Sequence, residues 1–293
     1  MLQADKLSIA KLCCRPLQLR SQKLMLQAAK SSLARLFCIA LAIGFSQSAF
    51  AQIGQQTIDI PTRADVTQRF LYLAPENPKA SIILFSGGQG DLQIAADGSF
   101  KSGGKNFLVR NRRRFAENGL AVAVVDAPSD RQSPPFLGGF RQTAEHVADI
   151  KAVTGWLRQK NNIPVWLVGT SRGTQSAAFI ATELARREGG PDGLVLTSTI
   201  LSDKTGRPVP AMPLQELAIP VLVVHHQQDR CRLCSYAEIP VLMNRLRAVP
   251  NKELLTITGG EDRGDPCEPM AHHGFNGQDA EVVAEIAGWI TGK

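Results

Sequence analysis

Residues 164–176 read Pro-Val-Trp-Leu-Val-Gly-Thr-Ser-Arg-Gly-Thr-Gln-Ser. A short apolar run ends in Gly169-Thr170-Ser171-Arg172-Gly173, and a stretch rich in small residues at helical spacing follows. That order demands a strand, a sharp turn and a helix, with a serine at the apex between two glycines. The serine backbone at such an elbow is strained, so its neighbours must be small. The hydroxyl is lifted clear of the sheet edge, and the helix aims its N-terminus at it.

The rest of the chain repeats the same grammar. The unbroken apolar run at residues 80–85 reads as a strand buried on both faces, residues 120–126 as a second buried strand, and residues 193–197, 220–225 and 253–258 as further strands. Helical patterns at residues 105–118, 144–161, 171–188, 236–248 and 279–291 fall between or after them. Ahead of these, residues 55–60 and 66–73 alternate apolar and polar positions, which predicts a pair of edge strands parted by a turn containing Pro61. Strands alternating with helices imply parallel βα units, so the expected fold is α/β, a doubly wound, mostly parallel sheet with helices on both faces. No linker or repeat divides residues 52–293, which predicts one domain. The arginines 110, 112, 113 and 114 read as a solvated helix face, with an anion site as the sharper alternative.

The first 51 residues read as a targeting segment. From Met25 a basic start with Lys30 and Arg35 leads into the apolar run 36–45 and then Ser48-Ala49-Phe50-Ala51, the three parts of a secretory signal peptide. Counted from Met25 the signal has a normal length, so Met25 is the expected start and Ala51–Gln52 the expected cleavage point. The run is too short for a permanent membrane anchor. The net charge of +7 belongs mostly to this segment, which holds seven of the 33 basic and one of the 26 acidic residues. The remaining 26 against 25 leave +1 and no nucleic-acid footprint. The expected location is secreted, periplasmic or extracellular. There, two of Cys231, Cys234 and Cys267 are expected to pair, and the sequence does not choose which.

Ser171 alone is inert at neutral pH. It needs a base within hydrogen-bond reach and a carboxylate to orient that base. In a doubly wound sheet such groups come from loops at the carboxyl ends of strands. The run 221–224 leads to Asp229, and the last strand leads to His272-His273-Gly274-Phe275. His273 is the better base candidate, since Gly274 permits close backbone approach and Phe275 packs the loop down. His272 is second, and His225 and His226 read as structural.

With Gly169-Thr-Ser171-Arg-Gly173 at the elbow, Asp229 after a later strand and His273 after the last, the chain resembles the α/β-hydrolase fold family over essentially residues 52–293. The order Ser…Asp…His is that family's order. The resemblance implies Ser171 as nucleophile, His273 as general base then acid, and Asp229 as the residue fixing the imidazole tautomer. It also implies an oxyanion amide from the loop after the first buried strand, here Ser86-Gly87-Gly88-Gln89, where the family often has a His-Gly pair. Gly88, then Gln89, is the expected donor, with the N–H of Arg172 as the second. Secreted polyester-cleaving relatives carry a disulfide in a similar place. A bridge from Cys267 to Cys231 or Cys234 would tie the acid loop to the base loop. The rival for these cysteines is zinc, held with a histidine.

The expected activity is a secreted serine hydrolase cleaving small carboxylic esters through an acyl-enzyme, without cofactor or metal. A peptidase or amidase on the same triad, or a non-catalytic binding protein on this fold, are the alternatives. The short connection 200–219 leaves little room for a large helical lid, so a minimal lid is expected. The loops 91–104 and 127–139 are then expected to line an open site.

Overall fold

Eight strands form the sheet of the computed structural model, which describes residues 53–185 and 189–293: β1 (Gln55–Arg63), β2 (Val66–Leu73), β3 (Ala80–Phe85), β4 (Leu120–Val125), β5 (Val165–Thr170), β6 (Gly193–Thr197), β7 (Val221–His226) and β8 (Lys252–Ile257). Their order across the sheet is β1-β2-β4-β3-β5-β6-β7-β8. From β4 to β8 neighbours are parallel, whereas β2 runs antiparallel to both β1 and β4. The fold is therefore the doubly wound, mostly parallel α/β sheet expected.

Successive residues of the buried strands alternate between two cores, as the two-residue period of a strand requires. Ile83 and Phe85 face a core with α3 (Ala144–Asn161), α4 (Gly173–Leu184) and α5 (Ile239–Arg245). Ile82 and Leu84 face the opposite core, with α1 (Phe107–Arg110), α2 (Arg112–Glu117) and α6 (Asp279–Thr291). Helix α3 is capped by the Thr143 hydroxyl on the His146 N–H and closes at left-handed Asn162.

Three expectations need correction. β1 continues through Pro61 to Arg63, so the turn lies at Ala64-Asp65, and a register shift falls between Pro61 and Arg63. Proline is tolerated there because β1 is an edge. β2 is not an edge strand but lies between β1 and β4. The helix expected over residues 105–118 is two short helices broken at Asn111, whose side-chain amide bonds the Phe107 carbonyl at 2.9 Å and also reaches Asp279. The helix expected after Ser171 is described to Leu184, and its last expected residues, 186–188, lie outside the described residues.

The targeting segment, residues 1–51 with its start at Met25, also lies outside them. The described residues belong to one compact unit. Among the described residues no helix is long and apolar enough to cross a membrane.

β3 and β5 sit side by side, and the chain winds outward from them in opposite directions, to β4 on one side and β6 on the other. The loops leaving the carboxyl ends of two such strands part to opposite faces and open a crevice between them. Ser86 follows β3 and Ser171 follows β5, so the two stretches singled out from the sequence meet at this switch point.

Candidate active site

Ser171 adopts φ +51°, a left-handed conformation that a serine holds only under constraint from its surroundings. The constraint is visible. A Cβ placed on Gly169 would lie 2.5 Å from the Gly173 carbonyl oxygen, and one on Gly173 would lie 2.1 Å from that of Phe85. Only glycine lets strand, elbow and helix pass this closely. The Ser171 N–H donates to the Thr197 carbonyl at 3.1 Å, and its own carbonyl receives the Thr174 N–H at 2.9 Å and the Thr174 hydroxyl at 2.6 Å. Arg172 stands at the N-terminus of α4, where unpaired amides and the helix dipole favour negative charge.

Asp229 and His273 meet although 44 residues separate them. The His273 Nδ1–H donates to Asp229 Oδ2 at 2.9 Å, and Asp229 Oδ1 accepts the Cys231 N–H at 2.8 Å. Both residues are buried. A carboxylate on Nδ1 fixes that proton and leaves Nε2 as the basic nitrogen. Nε2 has no hydrogen-bond partner among the described residues, so the Ser171 hydroxyl is not yet bonded to it. Ser171 and His273 nevertheless line one cleft of about 610 Å³ together with Gly87, Gly88, Leu92, Phe100 and Phe107.

The loop after β3 closes against the serine. A Cβ on Gly87 would lie 3.0 Å from the Ser171 Cβ, and Gly88 sits at φ +57°. The N–H groups of Gly88, Gln89 and Arg172 make no hydrogen bond among the described residues. Of the two loops expected to line the site, residues 91–104 do. Pro135, Leu137, Gly138 and Gly139 of the other border a separate hollow of about 510 Å³, together with Arg141, Arg172 and Gln175.

The remaining histidines are built into the frame. His225 Nε2 donates to the Cys234 carbonyl at 2.7 Å, and burial pushes its pKa down against the pull of Asp229. His226 Nε2 donates to the Gly259 carbonyl at 2.8 Å, its Nδ1 accepts the Gln228 N–H at 3.0 Å, and its ring stacks on His272 at 4.1 Å.

Cys231 and Cys267 form the disulfide, and Cys234 is a buried free thiol. The Sγ atoms of Cys231 and Cys234 and a ring nitrogen of His273 lie within 4.8 Å of one another. That set does not fit zinc. Cys231 and Cys267 are oxidised, His273 Nδ1 is committed to Asp229, and burial pushes the Cys234 pKa well up, so it stays a thiol.

Sequence reasoning missed three supports of this site. The Ser198 hydroxyl, at the end of β6, donates to the His273 carbonyl at 2.7 Å. Arg110 donates from Nη2 to the Gly274 carbonyl at 2.7 Å, from Nη1 to that of Pro269 at 3.2 Å, and from Nε to Asp279 at 2.7 Å. It is therefore no solvated helix residue but a strut for the histidine loop. Arg141 does the same for the loop after β3. A serine just past a strand end was a weak local signal; the arginines gave none.

Neither a protein-family model nor a curated protein sequence matches the chain. Among solved structures it is similar to a cold-adapted esterase from an Arctic intertidal metagenomic library, with 14% identity over 81% of this chain and 94% of that one and a TM-score of 0.55. It is similar to a dienelactone hydrolase from Anabaena variabilis, with 17% identity, 82% and 98% coverage and a TM-score of 0.54. An α/β serine hydrolase without a lid from Xanthomonas campestris matches at 16% identity, 82% and 95% coverage and a TM-score of 0.53. Sheet order, switch-point crevice and neighbours agree that this chain has the α/β-hydrolase fold.

Proposed function

We propose that the protein is a serine hydrolase that cleaves small carboxylic esters through an acyl-enzyme on Ser171. One observation carries the reading. His273, held at Nδ1 by a buried carboxylate, keeps Nε2 unbonded and shares a cleft with a serine on a strained elbow. In this reading substrate draws the Ser171 hydroxyl within reach of Nε2, a tightening common when such sites fill. Oγ attacks the ester carbonyl as Nε2 takes its proton, and Asp229 stabilises the imidazolium. The oxyanion is received by the Arg172 amide and an amide of the Gly88–Gln89 stretch. His273 then protonates the leaving alcohol, and water repeats the sequence on the acyl-enzyme. The esterases and dienelactone hydrolase among the structural neighbours support ester rather than peptide cleavage. The Cys231–Cys267 disulfide supports an oxidising compartment and so a secreted protein.

A fluorophosphonate probe tests this directly. Labelling is expected at Ser171 and is expected to vanish in Ser171→Ala, together with turnover of p-nitrophenyl acyl esters. A folded protein that is never labelled would falsify the reading, and labelling that persists in Ser171→Ala would reassign the nucleophile.

A further inference from the structure

Arg141 lies 30 residues before Ser171 in a stretch without regular structure, and it is only 6% exposed. Its Nη2 donates to the carbonyl oxygens of Ser86 and Gly88 at 3.1 Å each, with that of Gly87 at 3.5 Å. Its Nη1 donates to the Ser176 hydroxyl on α4 at 3.0 Å. One planar cation thus grips three successive carbonyls of the loop after β3 and the helix that follows the elbow. Among the described residues no carboxylate lies within ion-pair distance of it.

The geometry of the peptide group gives this grip a consequence. In a trans peptide the C=O and the next residue's N–H point in opposite directions. The carbonyls of Ser86, Gly87 and Gly88 share peptide planes with the amides of Gly87, Gly88 and Gln89. Drawing these oxygens onto Arg141 turns the partner amides away from it. Ser171 stands against the same loop, its Cβ 3.0 Å from where a Gly87 Cβ would be. A cation on the oxygen end of a peptide also polarises it, and so strengthens the N–H at the other end.

We propose that Arg141 is the positioning residue of the oxyanion hole, setting the aim of the Gly88 and Gln89 amides; this rests on the reading of Ser171 as nucleophile. Its burial opposes folding. Desolvation, and then the like charge of Arg172, pull its pKa down to about 9 against the opposing charge of Asp91, so the site holds a cation at neutral pH without a direct ion pair. A lysine keeps the charge but lacks the planar fork that reaches several carbonyls at once.

The test uses Arg141→Met and Arg141→Lys in the full chain. It reads kcat and KM on a p-nitrophenyl ester, affinity for a trifluoromethyl ketone, melting temperature, and hydrogen exchange of residues 86–90. Expected for Arg141→Met is a fall in kcat of about 30-fold or more, with KM within about threefold, since a misaimed oxyanion donor acts on the transition state. Ketone affinity falls by the same factor, residues 86–90 exchange faster, and Arg141→Lys recovers only part of the loss. Should Arg141→Met not fold, Arg141→Lys alone decides, with kcat and ketone affinity falling together. A kcat within about threefold of the parent in folded variant, or ketone affinity unchanged while kcat falls, overturns the assignment. A parent protein that takes no fluorophosphonate at Ser171 overturns the hydrolase reading and the oxyanion role with it. A labelled parent beside an active Arg141→Met overturns the role of Arg141 alone.

Discussion

Arg110 Nη2 donates to the carbonyl oxygen of Gly274 at 2.7 Å, one residue beyond His273. With its bonds to the Pro269 carbonyl and to Asp279, the guanidinium holds the loop on both sides of the histidine. The Cys231–Cys267 disulfide holds the same loop from the acid side, and the Ser198 hydroxyl holds the His273 carbonyl from β6. Three separate elements thus fix one imidazole.

Replacing Arg110 by Met should therefore lower activity more than stability. Losing hydrogen bonds of a charged group costs about 1.5–3 kcal/mol, which lowers the melting temperature by about 3–12 °C for a domain of this size. A loop free to shift by an ångström can cost about 100-fold in rate. We expect kcat on an ester to fall about 10- to 100-fold in protein that is still folded at 25 °C. Activity per folded molecule equal to the parent would show that the strut serves stability only.

The disulfide makes a different prediction, because it acts largely on the unfolded chain. Closing a loop of 36 residues removes unfolded-state entropy equivalent to about 3–4 kcal/mol. Cys231→Ser/Cys267→Ser should melt correspondingly lower than the oxidised parent, and a thiol reductant should bring the parent down to the same value without moving the variant. The double substitution matters, since Cys234 could otherwise pair with a lone partner. A parent whose melting is indifferent to reductant would sink the prediction.

The parts of this architecture that could be read from the sequence are those written in local pattern. The elbow, the buried strands β3 and β6 and the helix α6 follow from apolar runs, small residues at a close approach and helical spacing. The polar positions within residues 66–73 suggest an edge strand, whereas Gln68 among them is fully buried, its amide donating to the Asp126 carbonyl at 2.8 Å. Arg110 and Arg141 were opaque for a related reason. Their partners are mostly main-chain carbonyls far along the chain, which every residue possesses and no sequence pattern marks. The pairing of Cys231 with Cys267 rather than Cys234 likewise depends on where the loop of residues 259–273 folds back.

The last prediction concerns His146, in the first turn of α3 beneath Phe85 and Phe140. It is fully buried, and neither ring nitrogen has a partner among the described residues. Desolvation first, then the charges of Arg141 and Arg63, lower its pKa to about 3. In the unfolded chain the same ring titrates near 6.5. Between these values the unfolded state binds the extra proton, so stability falls as pH drops through that window and is fully present above it. Each such histidine contributes a slope of about 1.4 kcal/mol per pH unit there. Burial also lowers the pKa of His225 and His226, so the three act in the same direction. His146→Leu keeps the apolar packing and removes the titration. Urea unfolding at a series of pH values from 7 to 4 should give a slope shallower by about one histidine in the variant. Equal slopes in the two proteins would mean that His146 accepts its proton in the folded state.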